Sequence, residues 1–150
     1  MSCSILLLAI CVPMVVGIVA LLMPKTSKDC REYLALLTTG FLFVIALWIF
    51  LKGASPFQAV LLTLGEFVLA FDLAVTPLAS FMFLFASGFA VLIALYSMPF
   101  MADTQRLRTY YAFLLFALGG SAGVFFSNNL LVFLIFWEVL MKQLLKTFLL

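Results

Sequence analysis

The chain has 150 residues, of which 67% are hydrophobic and 9% charged, with a formal net charge of +2. A soluble domain carries roughly 45–50% apolar and about 25% charged residues, so this chain has too few polar side chains to cover a surface facing water. Soluble enzymes, nucleic-acid binders (which need a basic run) and disordered linkers are excluded, and an integral membrane protein is expected.

A bilayer span needs about 20 mostly apolar residues. In chain order, the first such run is 4–23, closed by Pro24-Lys25 and a polar loop reaching Arg31. The second is 32–51, with Trp48 near its end as an interfacial anchor. Residues 52–76 are broken by Gly53, Pro56, Gly65, Glu66 and Asp72, and are rich in strand formers around Phe67 to Leu73. They read as an interfacial segment with hairpin character rather than a sixth span, and Glu66 and Asp72 need no special role there. The third run is 77–98, the fourth 108–126 and the fifth 130–150, with only Ser127-Asn128-Asn129 as a turn between the last two. The expected class is therefore an all-α integral membrane protein of about five helices in a single domain.

Orientation follows from the basic residues of the short loops. With five spans, Lys25, Lys28, Arg31, Arg106, Arg108, Lys142 and Lys146 share one side, seven of the eight basic residues, and Lys52 alone lies opposite. The N-terminus is expected outside and the C-terminus in the cytoplasm. Cys3, Cys11 and Cys30 lack CxxC spacing and are odd in number, so they read as buried apolar thiols. Ile10 before Cys11 and the lack of a positive n-region speak against lipoprotein processing, so the first segment is expected to be retained. With no histidine, imidazole metal sites and a histidine pH switch are absent.

Glu138 is the residue best placed for chemistry. It follows the unbroken apolar run Leu130 to Trp137, which puts it about 12 Å along the fifth helix at ~1.5 Å per residue. An ionisable group at that depth costs on the order of 2.5–3.5 kcal/mol and must face protein or water, which makes it a candidate proton relay. Lys142 is four residues later on nearly the same face. Two roles stay open for this lysine: partner of Glu138, or a cation snorkelling to the interface. Mutual neutralisation without transport is the bland alternative for the pair. Gly119, Gly120, Ser121, Ala122 and Gly123 form a small-residue cluster suited to close helix packing. No nucleophile–base pair, phosphate loop or metal cluster stands out, so the isolated chain is not expected to be an enzyme.

Three segments carry a family resemblance: Arg108 to Gly120 with its Tyr110-Tyr111, Gly123 to Leu131 across Ser127-Asn128-Asn129, and Phe136-Trp137-Glu138. In order and spacing they resemble the antiporter-like subunits of respiratory complex I, membrane-bound hydrogenases and Mrp-type sodium/proton antiporters. Upstream, Val75 to Phe81 resembles the start, and Ala94 to Met98 the end, of the family's third helix. The resemblance implies that Glu138 occupies a proton-pathway position and that an extended segment separates the second and third helices. It also implies subunits of about fourteen helices with inverted five-helix repeats, of which these residues correspond to the N-terminal portion. The lysine of a later broken helix, which partners the glutamate in the family, is then not among them; Lys142 is the local candidate to replace it. Thr76 stands where the family has Asp, and Val139 to Gln143 replace small polar residues.

The function expected from this is a membrane subunit of a complex I-like or Mrp-like assembly taking part in proton or Na⁺/H⁺ translocation. Two alternatives remain: a truncated packing subunit without transport, and an unrelated small oligomeric channel or assembly factor. Any iron–sulfur, flavin or NiFe centre would sit in partner subunits, including those of a quinone reductase or hydrogenase, because nothing here ligates one. The implied location is the cytoplasmic membrane, with an organelle inner membrane left open.

Overall fold

In a bilayer core the backbone has no water to bond, so each apolar run satisfies its own N–H and C=O groups by coiling into a helix. The computed structural model describes residues 3–23, 28–53, 56–64, 67–100 and 107–148. Pro24, Lys25, Gly65, Glu66 and Arg106 lie outside the described residues. In order the elements are α1 (Cys3–Leu22), α2 (Lys28–Lys52), β1 (Phe57–Leu64), β2 (Phe67–Leu73), α3 (Pro77–Phe100), α4 (Leu107–Phe126) and α5 (Leu130–Phe148). The architecture is that of an all-α membrane protein with one two-stranded hairpin inserted. Among the described residues, Ile5–Leu22, Asp29–Lys52, Pro77–Pro99 and Thr109–Phe126 are long and apolar enough to cross a membrane. The remaining helix, α5, is of similar length but carries Glu138, Lys142 and Lys146.

Local chemistry sets the helix ends. Helix α2 begins at Lys28, upstream of the span boundary read at Glu32, because Asp29 in its first turn suits the positive helix terminus. Arg31, read as a loop charge, is thereby carried into the helix and is only 2% exposed. At the other end Gly53 takes φ +70°, a backbone region glycine enters without strain, and its N–H donates to the Ile49 carbonyl at 2.8 Å. Helix α3 is capped by Thr76, whose Oγ1 accepts the Ala79 N–H at 3.1 Å.

Helix α4 is the hub: α1, α2, α3 and α5 all pack on it, while α2 packs chiefly on α3. Its two glycine faces make this possible. A Cβ at Gly119 would stand 3.1 Å from Pro13 and Met14 of α1, and one at Gly120 would stand 3.0 Å from Leu140 of α5. At Gly123 a Cβ would clash with the Phe136 ring. Lipid supplies no hydrophobic drive between helices, so association rests on such close packing. Leu6, Leu42, Phe83, Leu118 and Phe126 form the main core, with Phe83 and Phe126 edge to face at 5.1 Å.

Hydroxyls inside the bundle return their protons to the preceding turn: Thr39 to Ala35 at 3.0 Å, Ser87 to Leu84 at 2.9 Å and Ser121 to Leu118 at 2.9 Å. Cys11 and Cys30 are free and exposed, not buried as their apolar surroundings suggested, because each falls on a helix face that no neighbour covers.

The hairpin is antiparallel, with Phe57 opposite Leu73, Gln58 opposite Asp72 and Leu64 opposite Phe67, and a register irregularity between Val60 and Leu62. Its last residues reach the turn between α4 and α5. Leu73 bridges Ser127, the Ala74 N–H donates to the Phe126 carbonyl at 2.8 Å, and the Asn128 N–H donates to the Asp72 carbonyl at 3.0 Å.

Candidate functional site

Helix α5 starts from a well-defined cap. Asn129 Oδ1 accepts the Leu131 N–H at 3.2 Å, and its carbonyl accepts the Phe133 N–H at 3.0 Å. From there the helix lays Val132, Phe136 and Leu140 toward α4, where Gly123 and Gly120 receive the last two. The opposite face carries Leu131, Leu134, Ile135, Trp137, Met141 and Leu145, all large and exposed. Trp137 is held flat against Phe133, ring centroids 5.9 Å apart.

In the middle of that free face lie Glu138 and Lys142. The Lys142 Nζ stands 3.1 Å from Glu138 Oε1, the i,i+4 ion pair that helix geometry permits, and each side chain is 70% exposed. Both sequence-derived site residues are therefore brought together, but on a face that the described residues do not cover. The cause is the peripheral place of α5, whose main neighbour is α4. A charge facing hydrocarbon costs on the order of 2.5–3.5 kcal/mol even on the lenient insertion scale. An apolar face with an ion pair at its centre is thus suited to protein contact rather than lipid contact.

Two polar constellations lay beyond the reach of sequence reasoning. Asp72, assigned no role from the sequence, accepts a hydrogen bond from Asn128 Nδ2 at 2.7 Å through Oδ2, while its Oδ1 is buried and has no hydrogen-bond partner. The only sequence signal was that Asp72 and the Ser127-Asn128-Asn129 turn fall on the same side in a five-span topology. The second is a buried pair between α3 and α4. The Ser97 hydroxyl lies 3.0 Å from the Ala94 carbonyl and 3.2 Å from the Tyr111 hydroxyl, and Tyr111 is fully buried. A groove of about 530 Å³ between α2 and α3 is lined by Phe43, Leu84, Phe85, Phe89 and Leu92, and offers no polar group for chemistry.

Residues 61–111, from within β1 to the first turns of α4, match the family profile described as NADH-ubiquinone oxidoreductase (complex I), chain 5 N-terminus. The chain is also similar to the Na(+)/H(+) antiporter subunit A1 of Staphylococcus aureus, with 25% identity over 139 residues that cover 91% of this chain and 17% of the relative. The same protein from the JH9 and Newman strains matches with the same identity and coverage. The chain thus spans 17% of the length of these curated relatives. The resemblance to antiporter-like subunits holds, and it concerns their N-terminal portion.

Proposed function

From that similarity to the N-terminal portion of antiporter-like subunits, we propose that the chain is a membrane subunit of a multi-subunit complex I-like or Mrp-like assembly. It takes part in translocating protons, or protons against Na⁺, with Glu138 as the proton relay and Lys142 as its partner. The observation that carries this reading is the Glu138–Lys142 pair, 3.1 Å apart on a face of α5 left open by the described residues. A partner surface that covers this face, or draws Lys142 aside, is where a proton would pass to or from Glu138.

The same physics identifies the assembly's side of the contact. The covering surface carries apolar side chains for Leu134, Ile135 and Trp137, and polar groups or water opposite the pair. The basic residues favour an N-terminus outside and a C-terminus in the cytoplasm, in the cell membrane. The test is purification of the tagged chain from its native membrane in mild detergent. Co-purification with antiporter, quinone-reductase or hydrogenase subunits supports the assembly. Recovery of the chain alone as a defined homo-oligomer overturns it in favour of a small channel.

A further inference from the structure

We propose that Asp72 is a positioning residue for Glu138, acting through Asn128; the inference rests on the reading of Glu138 as a relay. Helix α5 has two kinds of contact with the rest of the chain. The first is apolar: Phe136 over Gly123 and Leu140 over Gly120, close packing that seats α5 against α4.

The second is directional and sits at the start of the helix. The Asn128 N–H donates to the Asp72 carbonyl at 3.0 Å, Asn128 Nδ2 donates to Asp72 Oδ2 at 2.7 Å, and Leu73 bridges Ser127. Together with the bond from the Ala74 N–H to the Phe126 carbonyl, these make the α4–α5 turn an added rung on the edge of β2. Leu73 is fully buried there, so the rung is anchored in the core.

Asn128 is followed at once by the cap residue Asn129, and Glu138 lies about 12 Å from the start of α5 at ~1.5 Å per residue. A helix of this length moves as a rod, so the height of Asn128 on the hairpin sets the height of Glu138 in the membrane. Among the described residues Asp72 Oδ1 has no hydrogen-bond partner, and the carboxylate holds Asn128 through Oδ2. The charge beside Glu138 on its own helix is Lys142, and α4, the element packed against α5, carries the titratable Tyr110 and Tyr111 near its start.

The test exchanges donor and acceptor in the chain purified with its bound partners. Asn128→Asp sets two carboxylates against each other, and Asp72→Asn combined with Asn128→Asp restores the bond in reverse. Amide hydrogen exchange over residues 126–134 reads the latch, and transport by reconstituted vesicles against pH reads Glu138. Asn128→Asp is expected to speed exchange in the first turn of α5 at least tenfold and to displace the midpoint of the pH profile, with both restored in the double variant. Wild-type exchange in Asn128→Asp would overturn the latch. Faster exchange with an unmoved pH midpoint, where Glu138→Gln stops transport, would overturn the positioning role. Undiminished transport by Glu138→Gln would overturn the relay reading and the positioning role with it. That outcome is distinct from an idle latch because the exchange readout does not depend on transport.

Discussion

Replacing Gly123 with alanine tests the seam that seats α5. The added methyl would clash with the Phe136 ring, so either α5 moves off α4 or Phe136 leaves its rotamer. Overpacking of this kind costs about 1–3 kcal/mol. Alanine also favours a helix over glycine by roughly 0.5–1 kcal/mol, which obscures the clash in a single variant. Gly40 provides the reference, because a Cβ there meets nothing within 4 Å. The helix-propensity gain is common to Gly40→Ala and Gly123→Ala, so the difference between them isolates the clash at about 1–3 kcal/mol. Gly120→Ala should fall between, since its Cβ would stand 3.0–3.2 Å from atoms of Leu140, a side chain able to rotate. The assay is equilibrium unfolding of the purified chain in mixed micelles, followed by tryptophan fluorescence. Gly123→Ala as stable as Gly40→Ala would refute the close α4–α5 seam.

Three further outcomes follow from the geometry. Thr76→Ala removes the cap of α3 and should cost about 0.5–2 kcal/mol, whereas Thr76→Asp should hold wild-type stability in the same unfolding assay. Tyr111→Phe deletes the hydroxyl next to Ser97 and should cost about 0.5–1.5 kcal/mol. A double-mutant cycle with Ser97→Ala should then show coupling between the two sites, and strict additivity would refute a direct bond. Lys142→Met leaves Glu138 without its ammonium and should lower transport by the intact assembly severalfold at unchanged assembly level; unchanged transport would show Lys142 to be an interface anchor only.

What could be read from the sequence divides along physical lines. Helices and intrahelical pairs depend on local periodicity, so the five apolar runs and the Glu138–Lys142 contact at i,i+4 were legible. The glycines of α4 were legible as a packing surface, but not which partner each one meets: Gly119 faces α1, while Gly120 and Gly123 face α5. Contacts between distant segments were not legible. Asp72 and Asn128 are 56 residues apart, and nothing in either segment alone names the other. Burial of Arg31 likewise depends on where the bundle places the first turn of α2. The exposure of Glu138 adds what the sequence left open. Sequence reasoning asks an ionisable residue in a span to face protein or water, and it cannot tell which of the two, or which protein.

The central claim is that Glu138 carries a proton, and the most direct measurement is proton transport by the reconstituted assembly with Glu138→Gln. Glutamine keeps the size and hydrogen-bonding capacity of the side chain but cannot titrate. The account predicts an assembly recovered at the wild-type level whose transport falls to background across the pH range, with Glu138→Asp retaining part of the rate. Undiminished transport by Glu138→Gln would contradict it, and would leave α5 a packing helix whose ion pair serves the contact with its neighbour.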